Sequence, residues 1–129
     1  MGLFDFFRRN KRPVASDVAP TLAVDPPFED VTPAEASALQ ASGALILDVR
    51  SRGEYAGGHI AGAQNVPVDE IRRDVAKIPE AERIVFVCEM GGRSAYAAAL
   101  AAASGRQNLA NLDGGMQAWR DAGMPIEER

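Results

Sequence analysis

The residues best suited to chemistry surround Cys88, the only cysteine among 129 residues. It stands at the end of a β-branched and aromatic run, RIVFVC, and an alanine-rich segment that favours a helix begins a few residues later. Two consecutive glycines in between permit positive φ and allow backbone N–H groups to point inward. These N–H groups and the positive end of the helix dipole would stabilise a thiolate. We therefore expect a reactive Cys88, the alternative being a small buried apolar side chain.

The segments that must position Cys88 alternate between short strands and helices. Thr32 and Glu35 form one helix-capping box, and Ser51 and Glu54 form a second. Strands are predicted in PFEDVT, ALILDV, AQNVPV, RIVFVC and NLANLD, and further helices over 68–78, 94–103 and 115–123. This alternation predicts an α/β protein with a parallel sheet covered on both faces. Such sheets bind ligands beyond the carboxyl ends of their strands, which is where Cys88 lies.

Composition narrows the class of protein further. A chain of 129 residues, 47% hydrophobic and 25% charged, suits one globular domain. One cysteine and one histidine allow no internal disulfide and little metal binding, so we expect no metal, no cofactor and a cytoplasmic location. The net charge of −4, with no basic stripe in the folded part, argues against nucleic-acid binding. No apolar run is long enough for a transmembrane helix, and the start lacks the pattern of a signal peptide.

The first 27 residues differ from the rest of the chain. On a helix, residues 1–12 (MGLFDFFRRNKR) would place Leu3 and three phenylalanines on one face, with the basic residues opposite. Such a segment could bind an anionic membrane weakly and peripherally, or dock on a partner. The alternative is a frayed terminus or one folded back onto its own domain. Residues 13–27 are rich in Pro, Ala, Val and Asp without periodicity, and we expect a flexible linker.

Three segments resemble the signature motifs of the rhodanese-like family of single-domain sulfurtransferases. CEMGGR, residues 88–93, resembles the active-site loop C-x-x-G-x-R. Residues 47–67, LDVRSRGEYAGGHIAGAQNVP, resemble the first signature, and LDGGMQAW, residues 112–119, resembles the carboxy-terminal one. The resemblance assigns residues 28–129 to a rhodanese-like domain and says nothing about residues 1–27. It implies a three-layer α/β/α fold with a five-stranded parallel sheet in the order 3-2-4-5-1.

The resemblance implies an enzyme that carries sulfane sulfur as a persulfide on Cys88. The thiolate would take sulfur from a donor such as thiosulfate or a protein or low-molecular-weight persulfide, and pass it to cyanide or a thiol. Because the chain has no second cysteine, an outside thiol, cyanide or a partner protein must accept the sulfur. The expected partners are therefore small sulfur donors and acceptors or a persulfide-bearing protein. The alternative is a noncatalytic rhodanese-fold module that binds a partner or is tethered by its N-terminus.

The spacing of the loop distinguishes this family from cysteine phosphatases. Those enzymes use C-x5-R, a loop one residue longer that wraps a tetrahedral phosphate. Here four residues separate Cys88 from Arg93. The shorter loop suits a terminal sulfur atom better than a phosphoryl group, because the geometry of the pocket decides which anion fits.

The loop after Cys88 is expected to cradle the sulfur. Arg93 would orient the loop and attract anionic donors, the alternative being an exposed arginine at the start of a helix. Ser94 is expected to cap the helix, with a hydrogen bond to the sulfur as the second possibility. The carboxylate of Glu89 would oppose both a thiolate and a dianionic donor. The complete expected cradle is Glu89, Met90, Gly91, Gly92, Arg93 and Ser94.

Charged residues after the second predicted strand are expected to support the site. Asp48 would brace neighbouring loops by hydrogen bonds, while Arg50 would either pair with Glu54 or face the substrate. His59 is a candidate general base, but a role in holding its turn is favoured because the loop itself can activate a thiolate. Trp119 has core spacing with Met116 and is expected to pack in the interior.

Overall fold

A computed structural model of the chain describes residues 27–128 and shows alternating strands and helices. The strands are β1 (Glu29–Val31), β2 (Leu45–Asp48), β3 (His59–Ile60), β4 (Gln64–Asn65), β5 (Ile84–Val87), β6 (Leu109–Leu112) and β7 (Ile126–Glu127). The helices are α1 (Pro33–Ala41), α2 (Arg52–Ala56), α3 (Val68–Arg73), α4 (Gly92–Ala103) and α5 (Gly115–Asp121), with a 3₁₀ turn at Val75–Lys77. The predicted amphipathic segment 1–12 lies outside the described residues, as does nearly all of the predicted linker.

Five parallel strands form the main sheet in the order β1-β6-β5-β2-β4. Counted along the chain within this sheet, the order is 1-5-4-2-3, which confirms the predicted 3-2-4-5-1 and the α/β class. The sheet places β5, which leads into Cys88, at its centre. A separate antiparallel pair of β3 and β7, which the sequence did not predict, joins His59 to the end of the described chain.

The core lies on both faces of the sheet because the central strands are covered on both sides. All four residues of β5 are buried, and their side chains alternate between two apolar clusters. One cluster contains Val85, Val87 and Trp119, which confirms the predicted packing of the tryptophan. The other contains Phe86 and the fully buried alanines of α4, which are Ala97, Ala98 and Ala101. Small side chains allow α4 to pack close to the sheet, which brings its first turn to the end of β5.

The sequence correctly predicted where two of the helices begin. In α1 and α2 both predicted capping boxes form: each threonine or serine hydroxyl accepts from the backbone N–H of a glutamate, whose carboxylate accepts in return. The predicted helix over 68–78 is wrong as a single element. Asp74 adopts an extended conformation, and its carboxylate accepts from the N–H of Ala76, which interrupts the helix and starts the 3₁₀ turn.

No helix among residues 27–128 has both the length and the apolar character needed to cross a bilayer.

Candidate active site

Cys88 directly follows β5, at the carboxyl end of the central strand and just before the first turn of α4. Its side chain packs in the same apolar cluster as Leu47 and Val49, and the residue is only 1% exposed. The strand and the helix thus bury the sulfur at the carboxyl end of the parallel strands, where α/β folds of this kind bind ligands.

The turn between β5 and α4 depends on Gly91. Gly91 is the N-cap of α4 and has a φ of 106°, in the left-handed region that favours glycine. In this conformation its N–H donates to Cys88 Sγ over 3.1 Å. Within residues 27–128, Gly91 is the backbone donor that contacts the sulfur, although the sequence had suggested the whole loop.

Ser94 contacts the sulfur and does not cap the helix. Because α4 begins at Gly92 and not at residue 94, Ser94 is its third residue, and the expected capping role is wrong. Its hydroxyl is fully buried and lies 3.2 Å from Cys88 Sγ. The geometry therefore places Ser94 at the sulfur, as the second possibility required, but its hydroxyl lies at hydrogen-bond distance from two groups and has only one proton to donate.

Asn111 is a site residue that sequence reasoning missed. It lies on β6, is 4% exposed, and its Oδ1 accepts a hydrogen bond of 2.6 Å from the hydroxyl of Ser94. Its Nδ2 donates to Asp30 Oδ1 over 3.1 Å and lies 3.4 Å from the carbonyl oxygen of Gly91. The available signal was an asparagine inside a buried apolar strand, because buried amides are nearly always hydrogen-bonded.

The start of α5 supports the cysteine loop from behind. The N–H of Met116 donates to the carbonyl of Cys88 over 2.8 Å, and that of Gln117 donates to the carbonyl of Glu89 over 3.1 Å. Gly115 makes this approach possible: a Cβ at this position would lie 2.4 Å from the carbonyl oxygen of Cys88. Its φ of 57° also favours glycine. The carboxy-terminal signature therefore contributes backbone donors to the active-site loop.

Arg93 pairs with Glu54 at the rim of the site. The rim consists of the partly exposed charged side chains at the Cys88 loop, which are Glu54, Glu89, Arg93 and Arg120. Its guanidinium donates to both carboxylate oxygens over 2.9 and 3.0 Å. The hydrogen bonds from Arg93 lower the pKa of Glu54 to about 2 and raise the pKa of Arg93. The expected pairing of Glu54 with Arg50 is wrong, because α2 presents Glu54 to the first turn of α4 instead. Arg93 therefore ties α4 to α2.

Arg50 is buried and bound within the protein. Its guanidinium forms two hydrogen bonds of 3.1 Å or shorter to Asp48 Oδ2 and donates to the carbonyl of Gly58 over 2.7 Å. Its Nη1 also contacts Glu89 Oε1 at 3.3 Å. Because these acceptors use each nitrogen of the guanidinium, the geometry favours a structural role for Arg50 over a role in facing substrate.

The Glu89 carboxylate is compensated by two arginines. Arg120 on α5 donates to both of its oxygens over 2.8 and 3.1 Å, and Arg50 approaches from the other side. The hydrogen bonds from Arg120 lower the pKa of Glu89, which is therefore ionised at neutral pH. The carboxylate that was expected to oppose a thiolate and a dianionic donor is therefore ionised but paired with two arginines. Sequence reasoning did not identify Arg120.

Met90 and His59 are the remaining candidate residues. Met90 projects from the loop and is 68% exposed. His59 is buried, its Nδ1 lies 2.8 Å from the carbonyl oxygen of Tyr55, and its ring stacks on that of Tyr55 with centroids 3.7 Å apart. These contacts hold the turn between α2 and β3. In the described part of the chain, no three His, Cys, Asp or Glu side chains are grouped closely enough to bind a metal ion.

The strand order, the turn from β5 into α4 and the cysteine at that turn define a rhodanese-like domain. The family model of the rhodanese-like domain matches residues 32–122, and the chain belongs to this family. The resemblance of the three sequence motifs is thereby confirmed.

Individual relatives share most of the domain. Thiosulfate sulfurtransferase GlpE of Pseudomonas fluorescens (strain SBW25) is 34% identical over 93 residues, covering 72% of this chain and 85% of that protein. The HTH-type transcriptional regulator Rv0324 of Mycobacterium tuberculosis is 37% identical over 109 residues, covering 79% of this chain and 46% of the regulator. The crystal structure of a rhodanese-related protein from Thermoplasma volcanium has a TM-score of 0.71 at 26% identity, covering 79% of this chain and 100% of that one.

The contact between Gly115 and the cysteine loop predicts a large loss of stability for Gly115→Ala. The added Cβ would clash with backbone atoms of residues 88 and 89 and strain a positive φ, which together should cost about 3 kcal/mol. Gly123→Ala is the matched control, because Gly123 also has a positive φ but no atom within 4 Å of a built Cβ. It should cost about 1 kcal/mol. Urea unfolding measures both, and equal losses would contradict the close approach.

Because Glu54 pairs with Arg93, we expect the free energy of unfolding to differ between the wild type and Glu54→Gln by an amount that depends on pH. Glutamine keeps an oxygen for the capping box but loses the charge. Because the pKa of Glu54 is lowered from 4.5 to about 2, its contribution to the free energy of unfolding is fully present above about pH 4.5 and is lost as pH falls towards 2. Both partners are more than one third exposed, so screening limits the contribution to about 1 kcal/mol. Urea unfolding across this range should show the difference shrinking; a constant difference would contradict it.

Proposed function

We propose that the protein is a sulfurtransferase that carries sulfane sulfur as a persulfide on Cys88. The observation that carries the proposal is the position of Cys88 Sγ, 3.1 Å from the N–H of Gly91 at the start of α4. A helix N-terminus and an inward N–H stabilise negative charge on sulfur. The name of the Pseudomonas fluorescens relative, thiosulfate sulfurtransferase, supports the same class of reaction.

The reaction proceeds in two displacements at sulfur. With thiosulfate as donor, the Cys88 thiolate attacks the outer sulfur; the S–S bond of thiosulfate breaks, and sulfite leaves with the electron pair. The product is the persulfide anion Cys–S–S⁻. An acceptor, cyanide or a thiolate, then attacks the terminal sulfur, and Cys88 leaves as a thiolate. A protein or low-molecular-weight persulfide can serve as donor by the same steps, with a thiolate as leaving group.

Burial and charge at the site restrict the donor. Because Cys88 is almost fully buried, a donor must present a slender reactive sulfur atom to reach it. Both rim arginines, Arg93 and Arg120, are already neutralised by carboxylates, so the rim carries little net positive charge for a dianion. This arrangement favours donors whose reactive group carries at most one negative charge, such as persulfides, over the dianion thiosulfate as the physiological substrate.

If Cys88 carries the proposed persulfide, the mass of the intact protein should increase, and the increase should require Cys88. After incubation with thiosulfate, the intact protein should gain one sulfur atom, and cyanide should remove it and form thiocyanate. Cys88→Ser should gain no sulfur and form no thiocyanate, because a serine hydroxyl does not ionise near neutral pH. Circular dichroism should show an unchanged fold in the variant. A wild-type protein that gains no sulfur from thiosulfate or from a persulfide donor would contradict the proposal and favour a binding module.

Because Glu89 neutralises Arg120, we expect the Glu89→Gln variant to have a lower KM for thiosulfate, and we expect the effect to depend on salt. Removing the carboxylate charge leaves Arg120 uncompensated at the rim and should lower KM for thiosulfate roughly fivefold at low ionic strength. The gain should fade as salt is added. Glu82→Gln is the matched control, since it changes net charge equally but lies before β5, at the opposite end of the sheet. Equal KM values in the two variants would rule out a local effect of the rim charge.

A further inference from the structure

A chain of hydrogen bonds leads from the sulfur to the surface of the protein. Cys88 Sγ lies 3.2 Å from Ser94 Oγ, and that hydroxyl lies 2.6 Å from Asn111 Oδ1. Nδ2 of the same amide lies 3.1 Å from Asp30 Oδ1. Cys88, Ser94 and Asn111 are all buried, whereas Asp30 is exposed. The chain therefore has one end at the reactive atom and the other in solvent.

The orientation of the Asn111 amide is fixed by its neighbours. Its Nδ2 faces the carboxylate of Asp30 and the carbonyl oxygen of Gly91, both of which can only accept at neutral pH. Rotating the amide by half a turn would place Oδ1 against these two acceptors. Oδ1 must therefore face Ser94 as an acceptor.

The amide orientation determines where the single hydroxyl proton of Ser94 points. Oδ1 has no proton of its own, so the bond of 2.6 Å requires Ser94 to donate to it. The oxygen of Ser94 then presents lone pairs towards Cys88 Sγ. Such an arrangement can accept the S–H of a neutral thiol, but it gives a thiolate no hydrogen bond.

We propose that Asn111 is a positioning residue that keeps the Ser94 hydroxyl proton away from the sulfur and so limits the thiolate population of Cys88. In the free site the thiolate then relies on the N–H of Gly91 and the start of α4. If Cys88 carries a persulfide, as proposed above, the negative charge resides on the terminal sulfur. The inner sulfur is then neutral and does not need a donor from Ser94. The amide thus matches the buried position to an uncharged sulfur.

Replacing Asn111 by leucine isolates this effect because it leaves no buried group without a partner. The carbonyl of Gly91 still accepts from the N–H of Ala95 over 3.2 Å, and the carboxylate of Asp30 is exposed to water. Leucine has nearly the shape of asparagine but offers no acceptor. The Ser94 hydroxyl is then free to turn and donate to a Cys88 thiolate.

The test compares the wild type, Asn111→Leu, Ser94→Ala and the double variant. Thiolate content is followed by ultraviolet absorbance against pH, and reactivity by the rate of alkylation with iodoacetamide. At a pH where the thiol is the main form, Asn111→Leu should increase the thiolate fraction about tenfold, since a hydrogen bond to a charged group is released for the sulfur. The alkylation rate should rise less, about threefold, because a stabilised thiolate is a weaker nucleophile. In the Ser94→Ala background, the same substitution should change neither quantity.

The result that overturns the proposal is a folded Asn111→Leu protein with an unchanged or smaller thiolate fraction. A gain that persists without the Ser94 hydroxyl also overturns it, because improved access of reagent would then be the cause. If Asn111→Leu does not fold, Asn111→Val replaces it, since a β-branched residue suits β6. These measurements involve no sulfur transfer, so they are independent of whether the protein accumulates a persulfide.

Discussion

The close approach of α5 to the cysteine loop is the constraint on which the rest of the site depends. The N–H groups of Met116 and Gln117 hold the carbonyls of Cys88 and Glu89 on the α5 side of the loop. Because each peptide unit is planar and trans, the N–H that follows a carbonyl points in the opposite direction, away from α5. The loop is thereby held in the conformation in which Gly91 can turn its own N–H towards the sulfur. Gly115 is required because a side chain would occupy the space of this contact.

Ion pairs also connect the same loop to its neighbours. Arg93 ties the first turn of α4 to α2 through Glu54, while Glu89 joins α5 to the buried Arg50. Each charged side chain at the rim therefore connects two elements of the fold. An exposed pair contributes little to stability, but these five charged side chains together connect the loop to α2, to α5 and to the residues that follow β2. The arginines at the rim carry little unpaired positive charge because each one pairs with a carboxylate from another element of the fold.

The sequence predicted the strand order, the capping boxes and the position of Cys88, because these follow from local patterns or from motifs of the family. It did not predict that Arg93 pairs with Glu54, because this contact depends on how α2 packs against the first turn of α4. Ser94 was misread because one turn of helix separates a capping position from one that faces the sulfur. Asn111 was missed because its partners lie 17 residues away at Ser94 and 81 residues away at Asp30.

Within residues 27–128 the Cys88 sulfur has two polar contacts, with Gly91 and Ser94, and this small number is compatible with the proposed carriage of sulfur. A buried thiolate surrounded by many donors would be stable, and a stable anion is a weak nucleophile. One backbone N–H and a helix N-terminus give partial stabilisation, while the amide of Asn111 directs the nearest hydroxyl elsewhere. In the proposed persulfide the charge would lie one bond farther from the backbone of Cys88, which packs in an apolar cluster. Desolvation would then oppose the charge less in the proposed persulfide than in the free thiolate, which would favour retention of the sulfur until an acceptor attacks it.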